Sequence, residues 1–505
     1  MKNKVKVVVL SVPFTVPIPL AAPALLSGCL NAAGIPAVGL DFSFSVFNAF
    51  HAHPWWARFK TKLTLTGQVH GKLPISANVL VLRHLVQYLK NIKEKYDPEW
   101  IGLSLFTHQS HEFGYPMMRM IRKHLPGVKI VLGGRSLELL HDNTPVYKRY
   151  QSQNVADLII VGDAEKSLID AIRNDTRGTV LSTQQTQADL DGISAPDWSG
   201  YDMAAYKKYD RMNTGIYIPV TASKGCVRHC TFCDVASFWP KYIYRDGINV
   251  ADDIIATYNN TGMTNFSFTD NLINGSISHF RKMNERIVEK IPNTISYRGY
   301  AIFRSKESSP EYDFEISARA GCDLVYLGQE SGSEKVRNDM KKKYSNDDVE
   351  YSANQYYRNK IKQAWLFMIG YPTETEEDFQ DTLRMLKYYA PMAKDGMLLI
   401  SVTSPFMVLG NSPLIQNQDI SDQYDFSMMS EHNPNHFQYF WESSANKENT
   451  FPVRTERWKR FYSAVVDNKY QWSGGMDVGG ILVELDEYER IYNEGVRKYI
   501  PILKS

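Results

Sequence analysis

The chain contains little cysteine, with five residues among 505. So few cysteines exclude a disulfide-stapled scaffold, and the crowding of three of them into one short stretch argues against pairwise bridging. An excess of one charge is also missing, because 57 basic and 55 acidic residues leave a formal net charge of +2. This balance argues against nucleic acid or an anionic membrane surface as a partner. No uninterrupted apolar run is long enough to span a bilayer.

The N-terminus resembles a targeting segment at first sight. The stretch "MKNKVKVVVLSVPFTVPIPLAAPALL" has lysines followed by apolar residues, as a signal peptide does. Prolines at positions 13, 17, 19 and 23 interrupt it, so we favour a buried strand, a proline-rich loop and a helix. Together with the cysteine usage, this interpretation predicts a cytoplasmic protein without a membrane span.

Apolar stretches alternate with helical periodicity over residues 1–178. The runs "VKVVVLSV", "WIGLSLF", "VKIVLGG" and "DLIIVGD" are typical of buried strands. Such strands, separated by helices, predict an α/β domain with a doubly wound parallel sheet that is covered on both faces. Ligands of these sheets bind beyond the carboxyl ends of the strands.

Three further regions follow this domain. Residues 179–212 are polar with little periodicity and predict a linker. Residues 213–405 contain six strand–helix units, which predict a (β/α)6 partial TIM barrel with its site at the carboxyl ends of the strands. Residues 406–505 are aromatic-rich and predict a mostly helical C-terminal region, which we expect to close over the barrel mouth.

Three cysteines lie within eight residues of the stretch "SKGCVRHCTFCDV", at Cys226, Cys230 and Cys233. Thiolates this close together on a loop are able to bind one metal centre. One interpretation is a [4Fe–4S] cluster with one iron free of protein ligands, as a catalytic cluster needs. The alternative is a closed zinc site that adds His229, as part of a non-catalytic binding module. Cys29 and Cys322 fall inside predicted regular elements and are expected to be core residues.

The spacing of these cysteines, with aromatic Phe232 before the last one, resembles the signature of radical S-adenosylmethionine (SAM) enzymes. Three later stretches resemble the same family in the same order: "FTDNLIN" at 268–274, "YLGQESGSEKVRNDMKKKY" at 326–344 and "FMIGYPTETEEDF" at 367–379. The resemblance covers about residues 215–400. It implies that the cluster binds SAM and cleaves it reductively to a 5′-deoxyadenosyl radical.

The resemblance also implies roles for particular residues. Glu330 would bind the ribose hydroxyls of SAM as a charged acceptor, with help from Ser331. Met368 and Ile369 would line the adenine, together with the backbone of Phe232. The alternative roles are helix capping for Glu330 and plain barrel core for Met368 and Ile369. Asp270, at a strand end, is either a contact to substrate or cofactor or a turn former; no catalytic residue is assigned.

The N-terminal domain is similar to the cobalamin-binding domain of B12-dependent radical SAM proteins. The matching positions lie at the ends of predicted strands and in the "VGDAEKSL" segment; they are Ser104, Leu105, Gly133, Gly134, Gly162 and Glu165. Paired glycines allow close backbone approach to a bulky nucleotide tail, and they also suit an ordinary strand-to-helix turn. The D-x-H-x-x-G fingerprint of cobalamin domains is absent after the first strand, and His108 is an isolated candidate for a cobalt ligand.

The resemblance therefore implies a radical SAM enzyme with a [4Fe–4S] cluster, SAM and cobalamin as cofactors. Its expected reaction is methyl transfer to a carbon of a small-molecule or peptide substrate, with flavodoxin or ferredoxin as the electron donor. The alternative is a non-methylating oxidoreductase or cyclase whose N-terminal domain has lost cobalamin. A tRNA methylthiotransferase fits less well, because the first 200 residues hold only Cys29. If the C-terminal region only selects substrate, its removal after residue 405 would spare uncoupled SAM cleavage.

Overall fold

The structure is a computed structural model. It describes residues 4–13, 18–53, 56, 75–106, 110–138, 140–141, 144–210, 216–424, 426, 437–438 and 440–472. The chain divides into two compact units. The first, here the N-terminal unit, comprises residues 1–220 with 253–265, and the second, the barrel unit, comprises residues 221–252 with 266–504.

A parallel sheet forms the centre of the N-terminal unit. Its strands and a small hairpin are β1 (Val7–Ser11), β2 (Ala37–Leu40), β3 (Trp100–Ser104), β4 (Lys129–Gly133), β5 (Leu140–His141), β6 (Thr144–Pro145), β7 (Leu158–Val161) and β8 (Gly178–Leu181). Six of them are neighbours in the order β2-β1-β3-β4-β7-β8, and every neighbouring pair is parallel. Strand β8 crosses the predicted domain boundary at residue 178, because its backbone pairs with β7.

Helices cover both faces of this sheet. They are α1 (Ala21–Ala32), α2 (Phe42–Phe50), α3 (Ile75–Lys95), α4 (Ser110–His124), α5 (Val146–Gln153), α6 (Ala164–Arg173), α7 (Gln187–Asp191) and α8 (Met203–Asp210). Strand β1 shows why four consecutive residues, Val7–Leu10, are apolar. Val8 and Leu10 pack into one apolar cluster, and Val7 and Val9 pack into another on the opposite face. Both sides of the strand are therefore buried, as predicted for a doubly wound sheet.

The strands after residue 215 are β9 (Ile218–Val220), β10 (Ser223–Lys224), β11 (Ile243–Tyr244), β12 (Asn265–Phe268), β13 (Ser296–Ala301), β14 (Cys322–Glu330), β15 (Lys362–Ile369), β16 (Leu398–Pro405), β17 (Val408–Leu409), β18 (Phe437–Gln438) and β19 (Gln471–Trp472). In the barrel unit, neighbouring strands follow the order β12-β13-β14-β15-β16-β19. The pairs from β13 to β16, and the pair of β16 with β19, are parallel.

The helices after residue 220 are α9 (Val235–Phe238), α10 (Gly247–Thr261), α11 (Ile277–Lys290), α12 (Glu311–Arg319), α13 (Glu334–Asp339), α14 (Asn346–Arg358), α15 (Glu376–Lys394), α16 (Pro413–Gln416), α17 (Gln418–Tyr424) and α18 (Phe451–Asp467). Capping boxes start α14 and α15, where Ser345 and Thr375 each accept the amide of an aspartate three residues later.

The parallel sheets and the helices between their strands give the chain a mixed α/β fold with a TIM-barrel-like core, which confirms the predicted fold class.

The C-terminal region is less uniform than its sequence predicts. Helices α16, α17 and α18 account for much of its described part, but β17 and β18 form an antiparallel pair. The two-residue strand β19 pairs with β16 at the edge of the barrel sheet. The predicted helical stretch after residue 472 lies outside the described residues. None of the described helices is both long enough and apolar enough to cross a bilayer.

Candidate functional site

The cysteine loop begins at a residue whose backbone requires glycine. Gly225 follows β10 and has a φ of 78°, in the left-handed region that other residues rarely adopt. A Cβ atom at this position would lie 2.5 Å from the carbonyl oxygen of Lys241. Glycine therefore lets the chain leave the β10–β11 hairpin and turn directly into Cys226.

Three distant segments hold the middle of this loop. The Thr231 amide donates to the Met340 carbonyl at 3.2 Å, and the Leu414 amide donates to the Thr231 carbonyl at 2.9 Å. The Thr231 hydroxyl is 2.8 Å from the Tyr371 hydroxyl, which in turn lies 3.1 Å from the hydroxyl of Tyr424. The position of the cysteine loop therefore depends on the end of α13, on the turn after β15 and on the C-terminal region.

The three loop cysteines are free thiols in different degrees of burial. Cys230 is buried, whereas Cys226 and Cys233 are half-buried. The pKa of the Cys233 thiol is raised to about 12, mainly by burial, with smaller contributions from the neighbouring Cys230 and Cys226. Burial also raises the pKa of Cys230, against the opposing charge of Lys342. The backbone amide of Arg228 donates to the sulfur of Cys226 at 3.4 Å, as a thiolate ligand would require.

A cubane cluster and a single ion make different demands on these thiols. They are close enough to affect one another's pKa, yet no three His, Cys, Asp or Glu side chains among the described residues converge as ligands of one metal ion would. A zinc ion holds its sulfur ligands at about 2.3 Å, whereas a cubane cluster presents its thiolate ligands at separate iron corners. His229, the fourth ligand of the zinc alternative, is exposed.

Asp270 supports the segment that leads into the cysteine loop. Its carboxylate oxygens each lie 3.1 Å from the backbone amide of Ala222, which donates to them. Burial raises the pKa of Asp270 to about 7, although a hydrogen bond from Ser223 and backbone amides oppose this shift. In this structure Asp270 therefore holds the backbone at the strand end, and its contact to substrate or cofactor stays a prediction.

Glu330 lies at the carboxyl end of β14 in a strained conformation. Its φ of 61° is in the left-handed region, at a point where the β14–β15 register shifts. The side chain is buried, and its Oε1 accepts a hydrogen bond from Lys342 Nζ at 2.8 Å. A Cβ atom on Gly328 would lie 2.3 Å from Glu330 Oε1, so glycine at 328 leaves the space that this carboxylate occupies.

Lys342 is charged in this environment and fixes the carboxylate. Burial alone would lower its pKa, but Glu330, Tyr344 and Cys230 outweigh that effect and raise it. Its ammonium group also lies 5.8 Å from the centre of the Phe232 ring. Lys342 thus connects Glu330 to the cysteine loop. The sequence does not distinguish Lys342 from its neighbours, because it is the middle one of three consecutive lysines and no periodicity marks it.

Ser331 has a different environment from Glu330. Its side chain is fully buried, and its hydroxyl accepts the Ser333 amide at 3.1 Å. Its carbonyl accepts a hydrogen bond from Arg337 at 2.8 Å. In this structure Ser331 therefore stabilises the turn into α13.

Phe232 and Met368 contact the same apolar cluster. Both are partly buried against a group formed by Val336, Met340, Tyr371, Phe406, Val408, Leu414, Ile420, Tyr424 and Trp441. Ile369, the next residue after Met368, is fully buried, and its carbonyl accepts the Phe406 amide at 2.8 Å. The structure therefore brings Phe232 and Met368 together, whereas the described contacts of Ile369 are those of barrel core.

The C-terminal region packs closely against the turn after β15. Asn449 donates to the carbonyls of Gly370 and Tyr371 at 3.1 and 2.8 Å. Trp441 and Trp458 are fully buried, and the indole of Trp441 donates to the Phe406 carbonyl at 2.9 Å. These tryptophans are core residues of the C-terminal region.

In the N-terminal unit, the ends of β3 and β4 are joined tightly. The Leu105 amide donates to the Gly133 carbonyl at 2.7 Å, and the Leu105 carbonyl accepts the Ser136 hydroxyl at 2.5 Å. Gly134 has a φ of 113°, and a Cβ atom there would lie 2.3 Å from the Leu105 carbonyl oxygen. Packing alone therefore explains Gly134, whereas a Cβ on Gly133 would meet nothing nearer than 3.7 Å. Ser104 ends β3, in register with Gly133.

The other two predicted cobalamin positions follow β7. Gly162 has a φ of 93°, and a Cβ atom there would lie 3.3 Å from Ser182. Glu165 is buried in the first turn of α6 and accepts a hydrogen bond from Gln185 at 3.0 Å. All six positions lie at one edge of the sheet, as parallel strands require. Among the described residues, a Cβ atom on Gly133 would thus meet no clash, unlike one on Gly134; His108 lies outside the described residues.

The part of the chain that contains the barrel and the cysteine loop matches a known protein family. Residues 220–386 match the Radical SAM superfamily, so the chain carries a radical SAM domain. Among individual relatives, it is 27% identical over 191 residues to cytidylyl-2-hydroxyethylphosphonate methyltransferase of Streptomyces wedmorensis, covering 36% of this chain and 35% of that protein.

Two solved structures share the fold over more of the chain. One is the radical SAM methyltransferase TsrM from Kitasatospora setae, with a TM-score of 0.59, 16% identity and coverage of 84% of this chain and 75% of that chain. The other is the cobalamin-dependent SAM radical enzyme OxsB, with a TM-score of 0.62, 15% identity and coverage of 90% and 66%. The chain spans between about a third and two thirds of the length of the curated relatives it matches.

Proposed function

We propose that this chain is a cobalamin-dependent radical SAM enzyme that transfers a methyl group to a carbon of its substrate. The observation that carries the proposal is the presence of two parts in one chain. A radical SAM domain with three free cysteines follows a parallel α/β sheet, and TsrM, solved with cobalamin and a [4Fe–4S] cluster bound, shares the fold over 84% of this chain. When bound, the cluster supplies the electron that cleaves SAM, and cobalamin supplies the methyl group.

The protein's own residues have positioning roles in this proposal. Cys226, Cys230 and Cys233 hold three irons of the cluster as thiolates. Glu330 accepts the ribose hydroxyls of SAM through Oε2, since Lys342 occupies Oε1 and Oε2 has no partner among the described residues. Phe232 and Met368 supply the apolar side of the SAM site, supported by their shared cluster. Ser331 and Ile369 contribute backbone, because their side chains face the protein interior.

The remaining elements of the proposal concern cofactor supply and partners. Ser104, Leu105, Gly133, Gly134, Gly162 and Glu165 form the cobalamin-binding edge of the N-terminal sheet. A cytoplasmic flavodoxin or ferredoxin supplies the low-potential electron. The substrate is a small molecule, as is usual for radical SAM enzymes, or a peptide.

A second candidate function is a non-methylating radical SAM reaction without cobalamin. It is supported by Gly134, whose lack of a side chain is explained by its approach to Leu105 at the ends of β3 and β4. It is also supported by the absence of the D-x-H-x-x-G fingerprint after β1.

Anaerobic purification with cobalamin supplied tests both candidates. We expect iron and sulfide in the ratio of one [4Fe–4S] cluster per chain, one cobalt, and formation of 5′-deoxyadenosine from SAM under a chemical reductant. Serine substitution of any loop cysteine is expected to remove iron, whereas Cys322→Ala, outside the loop, retains it. Iron without cobalt would favour the second candidate, and zinc without iron would refute both.

A measurement of SAM binding tests the role of Glu330. Glu330→Gln removes a charge-assisted acceptor, which is worth about 1.5–3 kcal/mol. The dissociation constant for SAM in the reconstituted protein should therefore rise by roughly ten- to a hundredfold, while the iron content is unchanged. An unchanged dissociation constant would contradict the assignment.

A further inference from the structure

The barrel strands have an outer face that is covered by helices. Tyr297 on β13 donates to the side chain of Asn284 on α11 at 2.6 Å, and Trp365 on β15 packs edge-on against Tyr389 on α15. Successive side chains of a strand point to opposite faces. Residues an odd number of positions from Tyr297 or Trp365 therefore point into the barrel.

Two tyrosines share this inner face. Tyr300 lies three positions after Tyr297 and pairs in register with Tyr326 on β14. Tyr326 in turn pairs with Ala364, the neighbour of Trp365, which independently assigns it to the inner face. The two rings are 5.1 Å apart with an angle of 33° between their planes.

This tyrosine pair has unused binding capacity. Tyr300 is 44% exposed although it lies in the middle of the sheet, and Tyr326 is half-buried. Neither phenol hydroxyl has a hydrogen-bond partner among the described residues. Core tyrosines of this barrel differ, because the hydroxyls of Tyr297 and Tyr344 are both hydrogen-bonded. An aromatic surface with two available hydroxyls, on the inner face of a barrel, is suited to bind a ligand.

Glu330 lies on the same strand as Tyr326. It follows Tyr326 by four positions, about 13 Å at strand rise, and Gly328 between them carries no side chain. The tyrosine pair thus includes a residue of the strand that ends at Glu330, the residue proposed to hold SAM.

We propose that Tyr300 and Tyr326 recognise the substrate, and that this substrate carries a planar aromatic or heteroaromatic ring with a polar edge. This inference rests on the proposed function, because it places the substrate in the barrel below the SAM site. The ring stacks on or packs edge-on against the tyrosines. The two phenol hydroxyls exchange hydrogen bonds with a polar group at its edge: they donate to a carbonyl oxygen or an unprotonated ring nitrogen, or accept from a ring N–H such as that of indole.

Binding of a probe pair tests the proposal directly. Indole and hydrindane, a neutral saturated bicycle of the same size, are titrated into the full-length, cluster-loaded protein, with affinity read by ligand-observed NMR. Two aromatic contacts give indole an advantage of roughly five- to tenfold in dissociation constant. Tyr300→Leu and Tyr326→Leu should each reduce this advantage to about two- to threefold, whereas Tyr300→Phe should retain it.

An exposed tyrosine outside the pair serves as the control. Tyr312→Leu, at an exposed tyrosine on α12, should leave the preference for indole unchanged. Circular dichroism checks that each variant is folded. If a Leu variant is not folded, the corresponding Phe variant, which preserves the shape of the ring, is measured in its place. Equal affinity of wild type for the two probes, or a preference that both Leu substitutions leave undiminished, would overturn the proposal.

The same samples separate this inference from the proposed function. Uncoupled SAM cleavage to 5′-deoxyadenosine is measured in wild type and in both Leu variants, and we expect it to be retained. Loss of SAM cleavage in wild type would refute the radical SAM activity, whatever the indole result. Retained cleavage without any preference for indole would refute only the assignment of the tyrosine pair.

Discussion

Replacement of Lys342 by methionine tests whether Lys342 and Glu330 form a buried charge pair that stabilises the fold. The Lys342–Glu330 pair is 2.8 Å long, and its two side chains are only 9% and 7% exposed. Removal of one partner leaves a buried charge without compensation, which typically costs about 3–5 kcal/mol. Lys342→Met should therefore lower the free energy of unfolding by that amount in urea titrations of the apoprotein, followed by tryptophan fluorescence. The double variant Lys342→Met/Glu330→Gln should recover at least half of the loss, because it removes the buried charge.

The matched control is Lys335→Met. Lys335 forms a pair of almost the same length with Asp378, at 2.9 Å, but its side chain is 60% exposed. Solvent screening reduces such a pair to about 0–1 kcal/mol. If Lys342→Met costs no more than Lys335→Met, or if the double variant is as unstable as the single one, the assignment of a buried charge pair is wrong.

Three further predictions follow from burial and backbone geometry. Burial raises the pKa of Asp270 from 3.8 to about 7, so the folded state binds this proton more tightly than the unfolded chain does. The free energy of unfolding should therefore fall as the pH rises from about 4 to 7. In Asp270→Asn the urea midpoint should vary less with pH over this range, and a pH dependence equal to that of wild type would contradict the prediction. Trp458→Ala should cost about 3–5 kcal/mol because Trp458 is fully buried, whereas Val466→Ala, at a half-exposed site on the same helix, should cost less than about 0.5 kcal/mol in the same assay. Gly134→Ala should destabilise the apoprotein by about 1–3 kcal/mol, because its φ is strained for alanine and its Cβ atom would approach the Leu105 carbonyl. Gly133→Ala should be tolerated. Equal thermal stability of the two variants would show that this local geometry does not explain Gly134.

The sequence predicts elements well where a local pattern and the final environment agree. The first four residues of β1, Val7–Leu10, are all apolar, since both faces of the sheet are buried. The cysteine spacing is local as well, so a candidate cluster site is predicted from thirteen residues, "SKGCVRHCTFCDV", and its ligands stay a prediction. The two-residue strand β19, in contrast, exists because β16 has an open edge. No propensity within two residues reveals such an edge.

Residues whose role depends on a distant partner were harder to predict. Lys342 looks like its lysine neighbours in sequence, and only the fold buries it against Glu330. Gly134 matches a cofactor motif, yet its lack of a side chain is explained by the backbone of Leu105. Both examples have the same physical reason, because burial and close approach are set by strands far apart in the chain. A motif identifies the residue type at a position, whereas the fold decides what that residue contacts.

Tyr371 tests whether the C-terminal region belongs to the cluster site. Its hydroxyl bridges Thr231 in the cysteine loop and Tyr424 in α17, and a buried hydrogen bond is worth about 0.5–1.5 kcal/mol. Tyr371→Phe should therefore speed loss of iron to an anaerobic chelator by roughly two- to tenfold, whereas Tyr388→Phe, at an exposed tyrosine, should not change it. On the same reasoning, a chain that ends at residue 405 should lose iron and SAM cleavage together, since the Leu414 amide that binds Thr231 is removed. Retained SAM cleavage in that truncated chain would instead favour a C-terminal region that only selects substrate, as its sequence position alone predicts.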